Sequence, residues 1–361
     1  MRNEDSKHVR NFLRIGLLAS GLMTAFAISS CQNPANQPSN DTISAVSSDA
    51  ADCRTIEHKM GETTICGQPQ RIVVLGPSVL ESLLALTVQP VGYADHIAFH
   101  QGDYTDPSMQ ISYLGSYITQ PLMNVGTAGI PSIEAILKVQ PDLILGASRR
   151  NADQYEVLSE IAPTLLLKAP YFEPEESLRT LAQAVNRTEH AEQLLVQTQQ
   201  QIAAAREAFA SLVATHPQVL LLSSFKLQNL ELLGAVGLCG SLIEALGFEL
   251  VFPVGIDSDN LNSPMFISLE TLPQLNDADL VILFGYNFSD LKQLHGMEHF
   301  EEHQLSKLQQ AWETNAIAQS LAASKAGRVY FLPGYLCGAL PGPIGTELYL
   351  KELKEQLLSS N

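Results

Sequence analysis

Seven residues stand where short apolar strands end: Ser78 after IVVLG, His96 after VGYAD, Arg149 and Arg150 after LILGAS, Lys226 after LLLSSF, Tyr286 after LVILFG and Tyr335 after VYFLPG. In open α/β sheets ligands sit beyond the carboxyl ends of the strands. Guanidinium forks and phenol hydroxyls at such ends are hydrogen-bond donors that a bound ligand could use. A second chemistry is spelled by HGMEHFEEH, where His295, His299 and His303 recur at helical spacing. Its first five residues fit H-x-x-E-H, which would put His295 and His299 on zinc with Glu298 as base. Gly296 interrupts the helix this requires and no third ligand is evident, so the segment reads instead as a solvated acidic helix. GAVGLCG, from Gly234 to Gly240, spaces its glycines as G-x-x-G-x-x-G rather than as a dinucleotide fingerprint, and reads as a turn leading into GSLIEALG.

The elements that must position these residues alternate. From Arg71 the chain runs RIVVLG, VLESLLAL, PVGYAD, PSIEAILKVQPDLILG, QYEVLSEIA and TLLLK, short apolar strands separated by amphipathic helices. After residue 214 the scheme restarts with QVLLLSSF, GSLIEALG, FISLETLPQLNDADLVILFG, AIAQSLAA, RVYFLPG and a closing helix through TELYLKELKEQLL. One phrase is written twice: a short helix with a glutamate near its start (Glu134, Glu270), an aspartate farther on (Asp142, Asp279), then a strand. Glu189 to Ala214 contains no Gly or Pro, and Leu195, Ile202 and Phe209 recur every seven residues. That describes a helix roughly 39 Å long with one narrow buried face. The expected fold is therefore two doubly wound α/β lobes, residues 53–188 and 215–361, joined by one long backbone helix at 189–214 with a ligand cleft between them.

The start of the chain is different text. Arg2, Lys7, Arg10 and Arg14 precede an uncharged run from Ile15 to Ile28, too short to span a bilayer and suited to a secretory signal over residues 1–30. Ile28-Ser29-Ser30 leads into Cys31 as a lipoprotein cleavage site would, making Cys31 the lipidated N-terminus. Residues 31–52 are rich in Asn, Pro, Ser and Gln, the composition of a disordered tether. The whole chain has 361 residues and net charge −17; loss of the signal, with four basic and two acidic side chains, leaves −19. Such a chain offers no basic surface to displace counterions, which argues against a nucleic-acid partner. Of five cysteines, four remain if Cys31 takes lipid, and an exported chain favours pairing them. Cys53 and Cys66 flank RTIEHKMGETTI, a hairpin that would place their sulfurs across from each other, leaving Cys239 with Cys337.

RIVVLGPSVLESLLALTVQPVGYAD, PSIEAILKVQPDLILG, YEVLSEIAPTLLL and GRVYFLPGYLCGALPGPIGTELYL resemble, in order over residues 53–361, the iron-siderophore substrate-binding proteins of ABC importers. This helical-backbone group also holds cobalamin and haem binders. The resemblance implies a monomeric, lipid-anchored exported protein, periplasmic or on the outer face of the cytoplasmic membrane. It would carry a ferric siderophore to the importer permease, without catalysis and without a cofactor. The siderophore's own oxygens would hold the iron, so no protein ligand to metal is expected. In this family a glutamate at the tip of each lobe docks on permease arginines, and Glu134 in PSIEAIL and Glu270 in ISLETLP match those positions. The chain departs from some hydroxamate binders at Thr127-Ala128-Gly129-Ile130, where they carry an arginine, and at Pro341, where relatives can carry a basic residue. A haem or cobalamin ligand is the alternative within the family, and a zinc hydrolase the one outside it.

Overall fold

The computed structural model describes residues 52–256, 263–289, 291 and 299–358. The first described element is a hairpin of β1 (Cys53–His58) and β2 (Gly61–Cys66), in register from Cys53 opposite Cys66 to His58 opposite Gly61. A Cys53–Cys66 disulfide closes its open end. The hairpin is tied to the lobe behind it by Thr63, whose hydroxyl donates to the Thr164 carbonyl at 2.7 Å, and by Arg54, whose guanidinium reaches the carbonyls of Gln183 and Ala184.

The first lobe is built on β3 (Ile72–Leu75), β4 (Gly92–Asp95), β5 (Met123–Thr127), β6 (Ile130–Pro131), β7 (Leu143–Ala147) and β8 (Thr164–Leu167). They are ordered β6-β5-β4-β3-β7-β8 and parallel except for β6. The second lobe uses β9 (Gln218–Ser224), β10 (Leu230–Leu232), β11 (Glu249–Leu250), β12 (Met265–Ile267), β13 (Leu280–Gly285) and β14 (Val329–Pro333), ordered β12-β10-β9-β13-β14 with β11 paired to β9. Strands β3, β7, β8 and β13 are buried along their whole length, as parallel strands covered on both faces by helices must be.

The repeated phrase has a mechanical part in both sheets. Asp142 accepts the backbone N–H groups of Gln70 and Arg71 at 2.7 and 2.8 Å, clamping the starts of β7 and β3 together. Asp279 does the same for β13 and β9 through the Gln218 N–H at 3.0 Å. Its helical parts differ: Ile133–Val139 is an α-helix capped by Ser132, whereas Leu269–Leu275 is a 3₁₀ helix with Pro273 inside. Proline lacks the N–H that an α-helical turn would use there.

Thr188–Thr215 forms one helix of 28 residues. Ala191 and Leu195 pack into the core of the first lobe, and Ala205, Phe209 and Leu212 into a core of the second. The long helix is not the sole connection, as the sequence pattern had implied. Helix Pro343–Leu357 also bridges the lobes, giving Ile344 to the first core and Tyr349, Leu350 and Leu353 to the second. Glu81, fully buried on helix Pro77–Ala85 of the first lobe, accepts the N–H groups of Gly342 and Gly345 at 2.8 and 2.7 Å and so caps that bridging helix. Among the described residues no helix is long and apolar enough to cross a membrane.

Candidate functional site

A cavity of about 670 Å³ opens where carboxyl ends of the two sheets face each other. Arg149, Tyr171 and Phe172 reach it from the first lobe; Ser223 and Ser224 at the end of β9, Glu231 on β10, and Tyr286 just past β13 line it from the second. Phe225 and Phe266 add apolar wall, and the Cys239–Cys337 disulfide forms part of the surface. A volume of this size, mostly apolar with a few convergent polar groups, is that of a small-molecule site.

Arg149 lies on the one-turn helix Ser148–Asn151 that follows β7. The turn is held from beneath by Asn151, fully buried, whose Oδ1 accepts the Ala147 N–H at 3.2 Å and whose amide donates to the Ala128 carbonyl at 2.6 Å. Gly146 makes room for this, since a Cβ there would lie 2.8 Å from the Asn151 Oδ1. The result is a guanidinium presented from a fixed backbone.

Tyr286 is positioned by its N–H, which donates to the Ser224 carbonyl at 3.1 Å, and by two glycines of helix Gly334–Gly338. Added Cβ atoms would meet the Tyr286 ring at 2.5 Å from Gly334 and its hydroxyl at 2.5 Å from Gly338. Burial, and then the negative charge of Glu231, push the phenol above its ordinary range, so it stays a protonated donor at neutral pH. Gly334→Ala is therefore expected to displace the ring and weaken ligand binding about tenfold, with a smaller effect on melting temperature; calorimetric titration beside a thermal melt checks this.

Of the seven strand-end residues, Arg149 and Tyr286 line this cavity and the other five do not. Ser78 is 2% exposed, within the first turn of helix Pro77–Ala85. Tyr335 is wholly buried, its ring 5.2 Å from His96, 5.3 Å from Tyr113 and 5.5 Å from Phe300. His96 is held by Asp95 at 3.0 Å. These aromatic contacts bring β4's end against helix Gly334–Gly338, which follows β14, and so pack one lobe on the other, which is why neither residue faces the opening. Arg150 and Lys226 are exposed; the Lys226 Nζ lies 5.5 Å from the Phe225 ring. The sequence reading missed Glu231, although a glutamate between two leucines in a strand was a visible signal. Tyr171 and Phe172 lie in a loop with no periodic signal.

In HGMEHFEEH, His295 and Glu298 lie outside the described residues. His299 pairs with Glu302 at 3.6 Å, and the His303 Nε2 donates to the Ser289 carbonyl at 2.6 Å. Among the described residues no group of three or more His, Cys, Asp or Glu converges as a metal site. Cys31 and the signal segment also lie outside the described residues.

Glu134 and Glu270 are both exposed in the first turns of their helices. The Glu270 carboxyl is held below its ordinary range by its own N–H and by the Ser268 hydroxyl. Four residues ahead of each glutamate stands a solvent-facing apolar side chain, Ile130 at 82% exposure and Phe266 at 74%.

Residues 72–336 match the family described as Periplasmic binding protein. The Fe(3+)-citrate-binding protein YfmC of Bacillus subtilis is 28% identical over 319 residues, 88% of each chain. The Fe(3+) dicitrate-binding periplasmic protein FecB of Escherichia coli is 28% identical over 278 residues, covering 76% of this chain and 80% of its own. In fold, the chain is similar to Staphylococcus aureus SirA, crystallised with staphyloferrin B: TM-score 0.65 at 24% identity, over 84% of this chain and 97% of that one.

Proposed function

The chain belongs to the periplasmic binding protein family, and we propose that it is the substrate-binding component of an ABC importer, capturing a ferric siderophore and delivering it to the permease. The observation that carries this reading is the cavity between the two sheets, with a guanidinium from one lobe opposite a protonated phenol from the other. Names of relatives sharing 28% identity over most of their length agree with it. The siderophore's oxygens hold the iron, Arg149 and Tyr286 meet its outer oxygens, and the aromatic walls cover its carbon skeleton. No bond is made or broken by the protein.

The same reading assigns residues 1–30 to a signal, Cys31 to lipid attachment and 31–52 to a tether. It assigns 53–188 and 215–361 to the two lobes, 189–214 to the helix between them, and Glu134 with Glu270 to the permease. The exported protein is a lipid-anchored monomer. Titrating it with ferric and iron-free siderophores tests the assignment: ferric complexes of at least one class bind, and haem and zinc do not. Arg149→Ala is expected to weaken the bound complex tenfold or more, about 1.4 kcal/mol, while Arg150→Ala stays within about twofold. Equal losses from the two arginines would show that Arg149 acts only through surface charge.

A further inference from the structure

Two charged side chains line the cavity among the described residues, and their signs are opposite: Arg149 from the first lobe and Glu231 from the second. Glu231 is the centre of β10, paired with Ser223 on one side and Phe266 on the other. Leu230 and Leu232 are buried in the core beneath, so pleating turns Glu231 to the opposite face, toward the cavity. The Ser223 hydroxyl donates to one of its carboxylate oxygens at 2.8 Å and fixes the side chain. No cation among the described residues forms an ion pair with it.

A ligand that fills this cavity strips water from Glu231. A carboxylate so desolvated is costly unless a positive group replaces the water. A polyanionic chelate makes this worse, because it adds like-charge repulsion inside a chain of net charge −17 and finds a single lining cation to answer it. We infer that Glu231 is a specificity-determining residue, selecting ferric chelates of low net charge that carry a cationic arm such as a primary ammonium. That arm lies against Glu231 among Phe225, Phe266 and Tyr286, whose ring faces favour a cation, while the iron-bearing end meets Arg149. The lining carboxylate thereby rejects polyanions as well as attracting the cationic arm. The inference rests on the ferric-siderophore reading of the same cavity.

The probes are three ferric chelates: ferrioxamine B, a linear tris-hydroxamate complex with one free ammonium; the same complex with that ammonium acetylated; and ferric dicitrate, a polyanion. Calorimetric titration of the whole exported chain is expected to give the ammonium form at least tenfold tighter than the acetylated form, with ferric dicitrate weaker than both. Glu231→Gln is expected to bring the ammonium-to-acetyl affinity ratio to about one. Glu231→Lys is expected to reverse the order, strengthening ferric dicitrate. A wild-type ratio near one overturns the inference, as does a ratio that Glu231→Gln leaves unchanged, the mark of a merely structural role through Ser223. Tight wild-type binding of ferric dicitrate alone overturns it while sustaining the siderophore reading. Failure of all three chelates, with failure of other ferric siderophores, overturns both.

Discussion

Replacing Glu134 and Glu270 together by alanine is expected to abolish uptake while leaving siderophore affinity and melting temperature nearly unchanged. Both glutamates are exposed, one on each lobe, each in a first helical turn and each four residues past a solvent-facing apolar side chain. Neither lines the cavity, so neither should touch ligand. On the first lobe, an exposed carboxylate four residues past the exposed Ile130 suits an interface with an apolar patch and a charged anchor. Loss of one partner from a desolvated interfacial ion pair costs on the order of 2 to 5 kcal/mol, and two such losses disrupt docking. Aspartate at either position should be milder and arginine worse. Uptake by cells carrying the double variant, measured beside ligand titration, decides the matter. Normal transport, or affinity lost as badly as transport, would sink the docking account.

The second large effect is on stability. Glu81→Leu leaves the Gly342 and Gly345 N–H groups at the start of helix Pro343–Leu357 without their acceptor, at about 1 to 3 kcal/mol each. Melting should fall by several degrees, and the two lobes should lose one of their ties. Glu81 also carries a pH signature. Burial raises its carboxyl to about 7, against the N–H groups of Gly345, Gly342 and Ile344, which pull the other way. A folded-state value above the unfolded one means the native protein binds the extra proton, so stability falls as pH rises from about 4.5 through 7. The span corresponds to roughly 3 kcal/mol. Glu81→Gln, which cannot titrate, should flatten the melting profile across that window. An unchanged slope would assign the pH dependence to other groups.

Much of this architecture could be read from residues in order. The lobes follow from IVVL, LILGA, VLLLSS and LVILFG, each an apolar run bounded by turn residues. The repeated phrase was legible because its parts are local: a first-turn glutamate, and an aspartate that clamps neighbouring strand starts in both sheets. The long helix was written in a stretch free of Gly and Pro, and the structure extends it by one residue at each end. The second phrase is also a short helix, and Pro273 inside it makes that helix 3₁₀ rather than α.

By itself, the sequence determined the strands, the helices and their alternation, because periods of 2 and 3.6 residues are set by the backbone and by which face is apolar. It also marked strand ends as the place for a ligand. Which ends face the opening was decided only by the tertiary structure. Tyr335 and Tyr286 both follow apolar strands of the second sheet, yet one ring is buried against His96 of the other lobe and the other lines the cavity. Glu231 became a cavity wall through pairing with Ser223 and Phe266, and Glu81 met Gly342 across 261 positions of chain. Side-chain direction at such sites is set by packing between segments distant in sequence, which local periodicity does not encode.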